Sequence, residues 1–124
     1  MPQAATELAG AKVLVVEDDM LVAMDHAEQL NEGGAEVVGP FTKATQAFDA
    51  LEYTEIDAAV LDFVLEDRNS AMLQEALERK GVPFVVVTGY PAVLVRRDSR
   101  QMVLSKPVPP GKLCSTVRAA WLRR

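Results

Sequence analysis

Residues 13–19 read Val13-Leu14-Val15-Val16-Glu17-Asp18-Asp19, an apolar run without polar alternation that passes directly into three acids. A short Val/Leu run of this kind reads as a strand buried on both faces, the pattern of a parallel sheet rather than of a half-solvated antiparallel one. Three further runs have the same form: residues 58–61 before Asp62, residues 84–87 before Thr88, and residues 102–104 before Ser105-Lys106-Pro107. In an open α/β sheet the ligand crevice lies at the carboxyl ends of the strands. Residues distant in sequence would therefore share one pocket there, with Glu17, Asp18 and Asp62 as its carboxylates, Thr88 as its hydroxyl and Lys106 as its ammonium.

The segments between these runs predict helices. Val22, Ala23, Ala27 and Leu30 recur at helical spacing over residues 20–32, with Asp19 placed as the cap and Gly33-Gly34 as the stop. Residues 35–39 predict a second strand ended by Pro40, and Thr42 predicts the cap of a helix through about Tyr53 that turns Ala47, Phe48 and Leu51 inward. Ser70 predicts the cap of a third helix, with Leu73, Ala76 and Leu77 as its stripe and Gly81 as its end. Residues 89–101 hold too little amphipathic length for more than a short or irregular fourth helix. Pro109-Pro110 predicts the first turn of a last helix, striped by Leu113, Val117, Ala120 and Trp121. Strands alternating with helices imply right-handed crossovers and helices on both faces. The expected architecture is a flavodoxin-like, doubly wound α/β fold with a five-stranded parallel sheet in the order 2-1-3-4-5.

With 124 residues the chain holds one core. Residues 1–10 are expected to form a flexible tail and residues 11–124 the domain. A net charge of −5 argues against direct binding to nucleic acid or an anionic membrane, and Arg118, Arg123 and Arg124 make only a local basic end. The single cysteine, Cys114, excludes an intramolecular disulfide and a Cys-based zinc site. No secretory signal opens the chain, and no stretch approaches the roughly 20 apolar residues of a membrane span. The expectation is a cytoplasmic protein, monomeric or weakly dimeric.

In their order and placement at strand ends, Glu17-Asp18-Asp19, Leu61-Asp62, Thr88-Gly89-Tyr90 and Ser105-Lys106-Pro107 resemble the receiver domain of two-component response regulators, over about residues 11–123. The chemistry is coherent on its own terms. Asp62 is a nucleophile toward phosphorus, but an incoming phosphoryl group is itself anionic, so a hard cation with oxygen ligands is needed. Mg²⁺ held by Asp18 and Asp62, with Glu17 acting through a water, meets that need and neutralises charge in a loose transition state. Lys106 is expected to pair with Asp62 at rest and with a phosphoryl oxygen afterwards, and Thr88 to donate to another. The resemblance further implies the backbone carbonyl of Val64 as a metal ligand, a cis Lys106–Pro107 bond, and a histidine kinase or histidine phosphotransfer protein as donor. That donor would dock near Met20, with residues 89–117 as the output face. Such a domain is a signalling phosphoacceptor, with only limited self-phosphorylation and self-dephosphorylation. No output domain is expected after Arg124, so output is expected through another protein.

The chain also departs from the receiver pattern. Val103 stands where most receivers carry Tyr or Phe. Tyr90 is the nearest aromatic, and residues 83–90 resemble a single-domain subgroup with a Phe-Ala-Thr-Gly-Tyr-like stretch, although Val86-Val87 replaces Phe-Ala. Phosphorylation is therefore expected to order residues 89–101 rather than rotate an aromatic. By the resemblance, Val64 and Tyr90 occupy the two positions that in receivers flank the line of water attack, and neither can orient water, which implies slow self-dephosphorylation. Two rival readings remain. An aspartyl-phosphate phosphatase usually has a second Asp two residues after the nucleophile, where this chain has Val64. A phosphorylation-independent pseudo-receiver is opposed by the complete acid, Thr and Lys set and favoured by Val103. His26, on the apolar stripe of the first helix, is expected half buried and structural. Cys114 is read as packing, and Trp121 as core or an interaction patch.

Overall fold

The computed structural model describes residues 7–62, 70–89 and 102–123. In chain order these form β1 (Lys12–Val16), α1 (Met20–Glu32), β2 (Glu36–Phe41), α2 (Ala44–Tyr53), β3 (Ala58–Asp62), α3 (Ser70–Arg79), β4 (Phe84–Thr88), β5 (Met102–Ser105) and α4 (Lys112–Arg123). All strand pairs are parallel and the order is β2-β1-β3-β4-β5, as the apolar runs predict. Every residue of β3 and β4 is buried, which is why these runs show no polar alternation.

The period-2 alternation of strand side chains divides the interior into two cores. Val13, Val15, Val60, Val85 and Val87 meet Leu30 of α1 with Leu113 and Val117 of α4, whereas Leu14, Val16, Leu61 and Val86 meet Leu51 of α2 with Leu73 and Leu77 of α3. Each such fully buried Val or Leu contributes about 1.5–3 kcal/mol. The same pairing aligns the strand ends. Val16 lies opposite Leu61, Asp62 opposite Val87, and Thr88 opposite Ser105. Residues that leave the sheet at these positions emerge along one edge, on either side of the point between β1 and β3 where the strand order reverses.

Several local expectations are corrected. β2 does not stop at Pro40 but continues to Phe41, with a register shift against β1 and the Glu17 N–H bonded to the Phe41 carbonyl at 2.9 Å. An edge strand accommodates proline because its outward side needs no ladder donor. Gly39 there has φ +108°, and a Cβ on it would lie 2.8 Å from the Phe41 nitrogen, so the bend requires glycine. Lys43, not Thr42, is the N-cap of α2, and the Gln46 side-chain oxygen accepts from both the Thr42 and Lys43 N–H groups at 3.2 Å. α4 starts at Lys112 rather than at Pro109-Pro110, because Gly111, at φ +81°, turns the chain just before it. The tail expected through Gly10 fails at Glu7–Gly10. Leu8 is fully buried against the α1/α4 core and its N–H bonds the Gly33 carbonyl at 2.7 Å. The anticipated fourth helix lies outside the described residues, apart from Gly89 at its edge.

Candidate functional site

The acidic triplet after β1 is divided by its geometry. Glu17 is buried, Asp18 is exposed, and Asp19 turns to α1, where its Oδ1 accepts from Leu21 N at 3.0 Å and Val22 N at 3.3 Å. Asp19 is thus a helix cap, as its sequence position predicts, and stands apart from the cluster. Asp62 ends β3 and Thr88 ends β4, both buried. Lys106 follows β5 and is fixed there by its own N–H, which donates to the Thr88 carbonyl at 2.8 Å, while the Lys106–Pro107 bond is cis.

The Lys106 ammonium joins the carboxylates. Its Nζ lies 2.9 Å from Glu17 Oε1, 3.1 Å from Glu17 Oε2 and 3.3 Å from Asp62 Oδ1. The expected pairing with Asp62 is present, but Glu17 is the closer partner. Glu17 is 1 % exposed, and a charge so far from water requires an opposite charge beside it. Burial works against the charge on Lys106, yet its bonds to Glu17 and Asp62 outweigh this and raise its pKa.

Oxygen atoms of Glu17, Asp18 and Asp62 all lie within 4.8 Å of one another. The donor set is all carboxylate oxygen, anionic and hard, which suits Mg²⁺ and not a metal that favours thiolate or imidazole. Crowding also acts on the proton of Asp62. Burial first, then hydrogen bonding to Asp18 and the charge and hydrogen bond of Glu17, push its carboxyl up to about 7, while Lys106 pulls the other way.

The other singled-out residues fall into place around this edge. Val103, opposite Val86 in the β4/β5 ladder, packs against the α2/α3 core and acts there as core volume. His26 is more buried than the expected half, at 3 % exposure, and that burial lowers its pKa against the pull of Glu17 and Asp25, so it stays neutral at neutral pH. Cys114 packs in the α1/α4 core with its thiol directed at the Gln29 carbonyl at 3.1 Å, and burial, then Glu7 and Glu32, push the thiol pKa up. The partly buried Trp121 packs on the same core. Val64 and Tyr90 lie outside the described residues. The sequence reading missed the role of Ser70. Its hydroxyl donates back to the Asp62 carbonyl at 3.3 Å, a contact no spacing rule reveals because it depends on where the start of α3 lies against the end of β3. Among the described residues no helix is long and apolar enough to cross a membrane.

A family profile described as the response regulator receiver domain matches residues 13–118. The transcriptional regulatory protein PdtaR of Mycobacterium tuberculosis is 31% identical over 80 residues, covering 64% of this chain and 39% of that protein. The phyllosphere-induced regulator PhyR of Methylorubrum extorquens is 28% identical over 127 residues, covering 95% of this chain and 47% of PhyR. The chain thus spans less than half the length of these relatives. Among solved structures, the response regulator PhyR from Brucella abortus superposes with a TM-score of 0.82 at 23% identity, over 98% of this chain and 51% of that one, a likeness of fold.

Proposed function

Because the chain belongs to the response regulator receiver domain family of two-component signalling, we propose that Asp62 is its phosphoacceptor, charged from a phosphohistidine of a kinase or phosphotransfer protein, and that its output is a protein contact. The observation that carries this reading is the convergence of the Glu17, Asp18 and Asp62 carboxylates after β1 and β3, with the Lys106 ammonium that follows β5 bonded to Glu17 and Asp62. A receiver is a signalling domain rather than a conventional enzyme, and the chemistry below is correspondingly simple.

Asp62, with its carboxyl pushed up to about 7, gives up its proton before it attacks. One of its oxygens then bonds to phosphorus as the bond from phosphorus to the donor imidazole nitrogen breaks, and the imidazole leaves with the electron pair. Lys106, already beside Asp62, balances the charge of the acyl phosphate, and the Thr88 hydroxyl at the end of the neighbouring strand donates to a phosphoryl oxygen. Glu17, Asp18 and Asp62 are the residues that would hold magnesium, which would supply positive charge to offset that of the incoming phosphoryl group. Val64, through its backbone carbonyl, remains the proposed further ligand. Met20, Leu21 and Met24 are large apolar side chains exposed at the start of α1, next to Asp18, and give a helical histidine domain an apolar surface at the mouth of the site.

Labelling by radioactive acetyl phosphate, with and without Mg²⁺, tests the reading on the parent chain and on Asp62→Asn. We expect Mg²⁺-dependent label on the parent and none on the variant. Equal label on both rejects phosphoacceptance at Asp62, and a parent that takes none rejects it and favours a pseudo-receiver, the reading to which Val103 lends itself.

A further inference from the structure

Outside the residues proposed to meet the phosphoryl group, Ser70 has a side chain that reaches the main chain of the acceptor itself. Ser70 is the first residue of α3 and only 8 % exposed. A buried serine at a helix start ordinarily caps it, by accepting from N–H groups of the first turn. Here the hydroxyl instead donates out of the helix, to the Asp62 carbonyl at 3.3 Å, eight positions back in sequence, and accepts from Gln74 Nε2 at 3.5 Å, one turn further along α3. We propose that Ser70 is a positioning residue for the phosphoacceptor: it ties α3 to the Asp62 peptide and thereby sets where the Asp62 carboxylate stands.

Asp62 is the last residue of β3 and is paired to Val87 of β4. Its carbonyl and its carboxylate share one Cα, so a rotation of the Asp62 peptide changes the direction in which the side chain leaves the sheet. α3 is a firm anchor for that peptide, since Leu73 and Leu77 are fully buried in the core beneath the sheet. Nucleophilic attack is sensitive to placement, and a misplacement of about 1 Å can cost on the order of 100-fold in rate. A hydroxyl that merely satisfied itself inside the protein would show no such consequence. The inference rests on the proposed role of Asp62 as acceptor, and its test separates the two.

The parent chain, Ser70→Ala and Ser70→Thr are compared by the maximal rate of Mg²⁺-dependent labelling with acetyl phosphate and by the NMR resonances of the Asp62 backbone carbonyl and side-chain carboxyl carbons. Ser70→Ala removes a single oxygen and is expected to remain folded, to label on the order of tenfold more slowly with its half-saturating acetyl phosphate concentration little changed, and to shift both carbons. Ser70→Thr, which keeps the hydroxyl, is expected to recover most of the rate and both resonances. Parent-like labelling by Ser70→Ala overturns the proposal, as does a carboxyl carbon that stays in place while the carbonyl carbon moves. A folded Ser70→Thr as slow as Ser70→Ala also overturns it. If the parent takes no label, the acceptor reading fails by itself, and the two carbon resonances still decide whether Ser70 places Asp62.

Discussion

Replacing Asp62 with asparagine should change the pH dependence of stability by an amount that follows from the structure. In the folded chain the Asp62 carboxyl is pushed up to about 7 from an ordinary 3.8, chiefly by burial and by the neighbouring acids. Below the lower value both folded and unfolded states hold the proton, and Asp62 contributes nothing to the pH dependence. Between the two values the folded state keeps the proton that the unfolded state has released, so stability falls as pH rises, at about 1.4 kcal/mol per pH unit. Above about 7 both states are ionised and the loss is complete. Over this window the accumulated cost of keeping an acid there is about 4 kcal/mol. The amide of the Asp62→Asn variant has no proton to release, so the variant should match or exceed the parent at pH about 8 and lose its relative advantage steadily toward pH about 4. The span of about 4 kcal/mol is a ceiling, because Asp62→Asn also removes one of the two carboxylate partners of Lys106. Urea denaturation of both proteins, in a metal chelator and at half-unit pH steps, measures the difference directly. Parallel stability curves across the whole range would refute the reasoning, since they would mean that the crowding of Glu17, Asp18 and Asp62 does not act on the Asp62 proton.

Other perturbations test the packing around the site. Lys106→Met leaves Glu17 buried without its cation and should cost about 3 kcal/mol in urea unfolding at neutral pH; a loss within about 0.5 kcal/mol would show the pair to be incidental. Gly33→Ala would place a Cβ 2.8 Å from the Cys114 sulfur and should destabilise by about 1–3 kcal/mol. Adding Cys114→Ala makes room and should return a substantial part of that loss, so strictly additive thermal shifts would contradict the close approach of α1 and α4. Leu8→Ala should cost about 2–4 kcal/mol, which a mobile tail would not, and equal unfolding midpoints would restore the tail reading for residues 7–10.

The fold was legible because its deciding signal is local. Val13–Val16 and the runs of β3 and β4 are buried throughout, so no polar residue interrupts them before the strand's last position, whereas the edge strand β5 is only partly buried. Gly33-Gly34 and Gly81 end helices for equally local reasons, and Asp19 caps α1 through groups no more than three positions away. The errors cluster where a partner from elsewhere overrode a local preference. Pro40 did not end β2 because an edge strand tolerates it, and Leu8 packs into the core it shares with Leu30 and Leu113. The cap of α2 is a local exception, since Gln46, within the helix's own first turn, takes the Thr42 and Lys43 N–H groups.

The candidate site divides along the same line. Which residues stand at the strand ends could be read from the chain alone, since the order of apolar runs fixes the crossovers and the crossovers bring Glu17, Asp18, Asp62, Thr88 and Lys106 to one edge. How their charges are shared emerged only from the assembled fold. Lys106 is held more closely by Glu17 than by Asp62, Asp62 is left among acids with a raised pKa, and Ser70 reaches back to the Asp62 carbonyl. Periodicity reports which face of an element is buried. Electrostatic and hydrogen-bond preferences depend on distances of a few ångströms between residues up to 89 positions apart, and those exist only once the chain has closed.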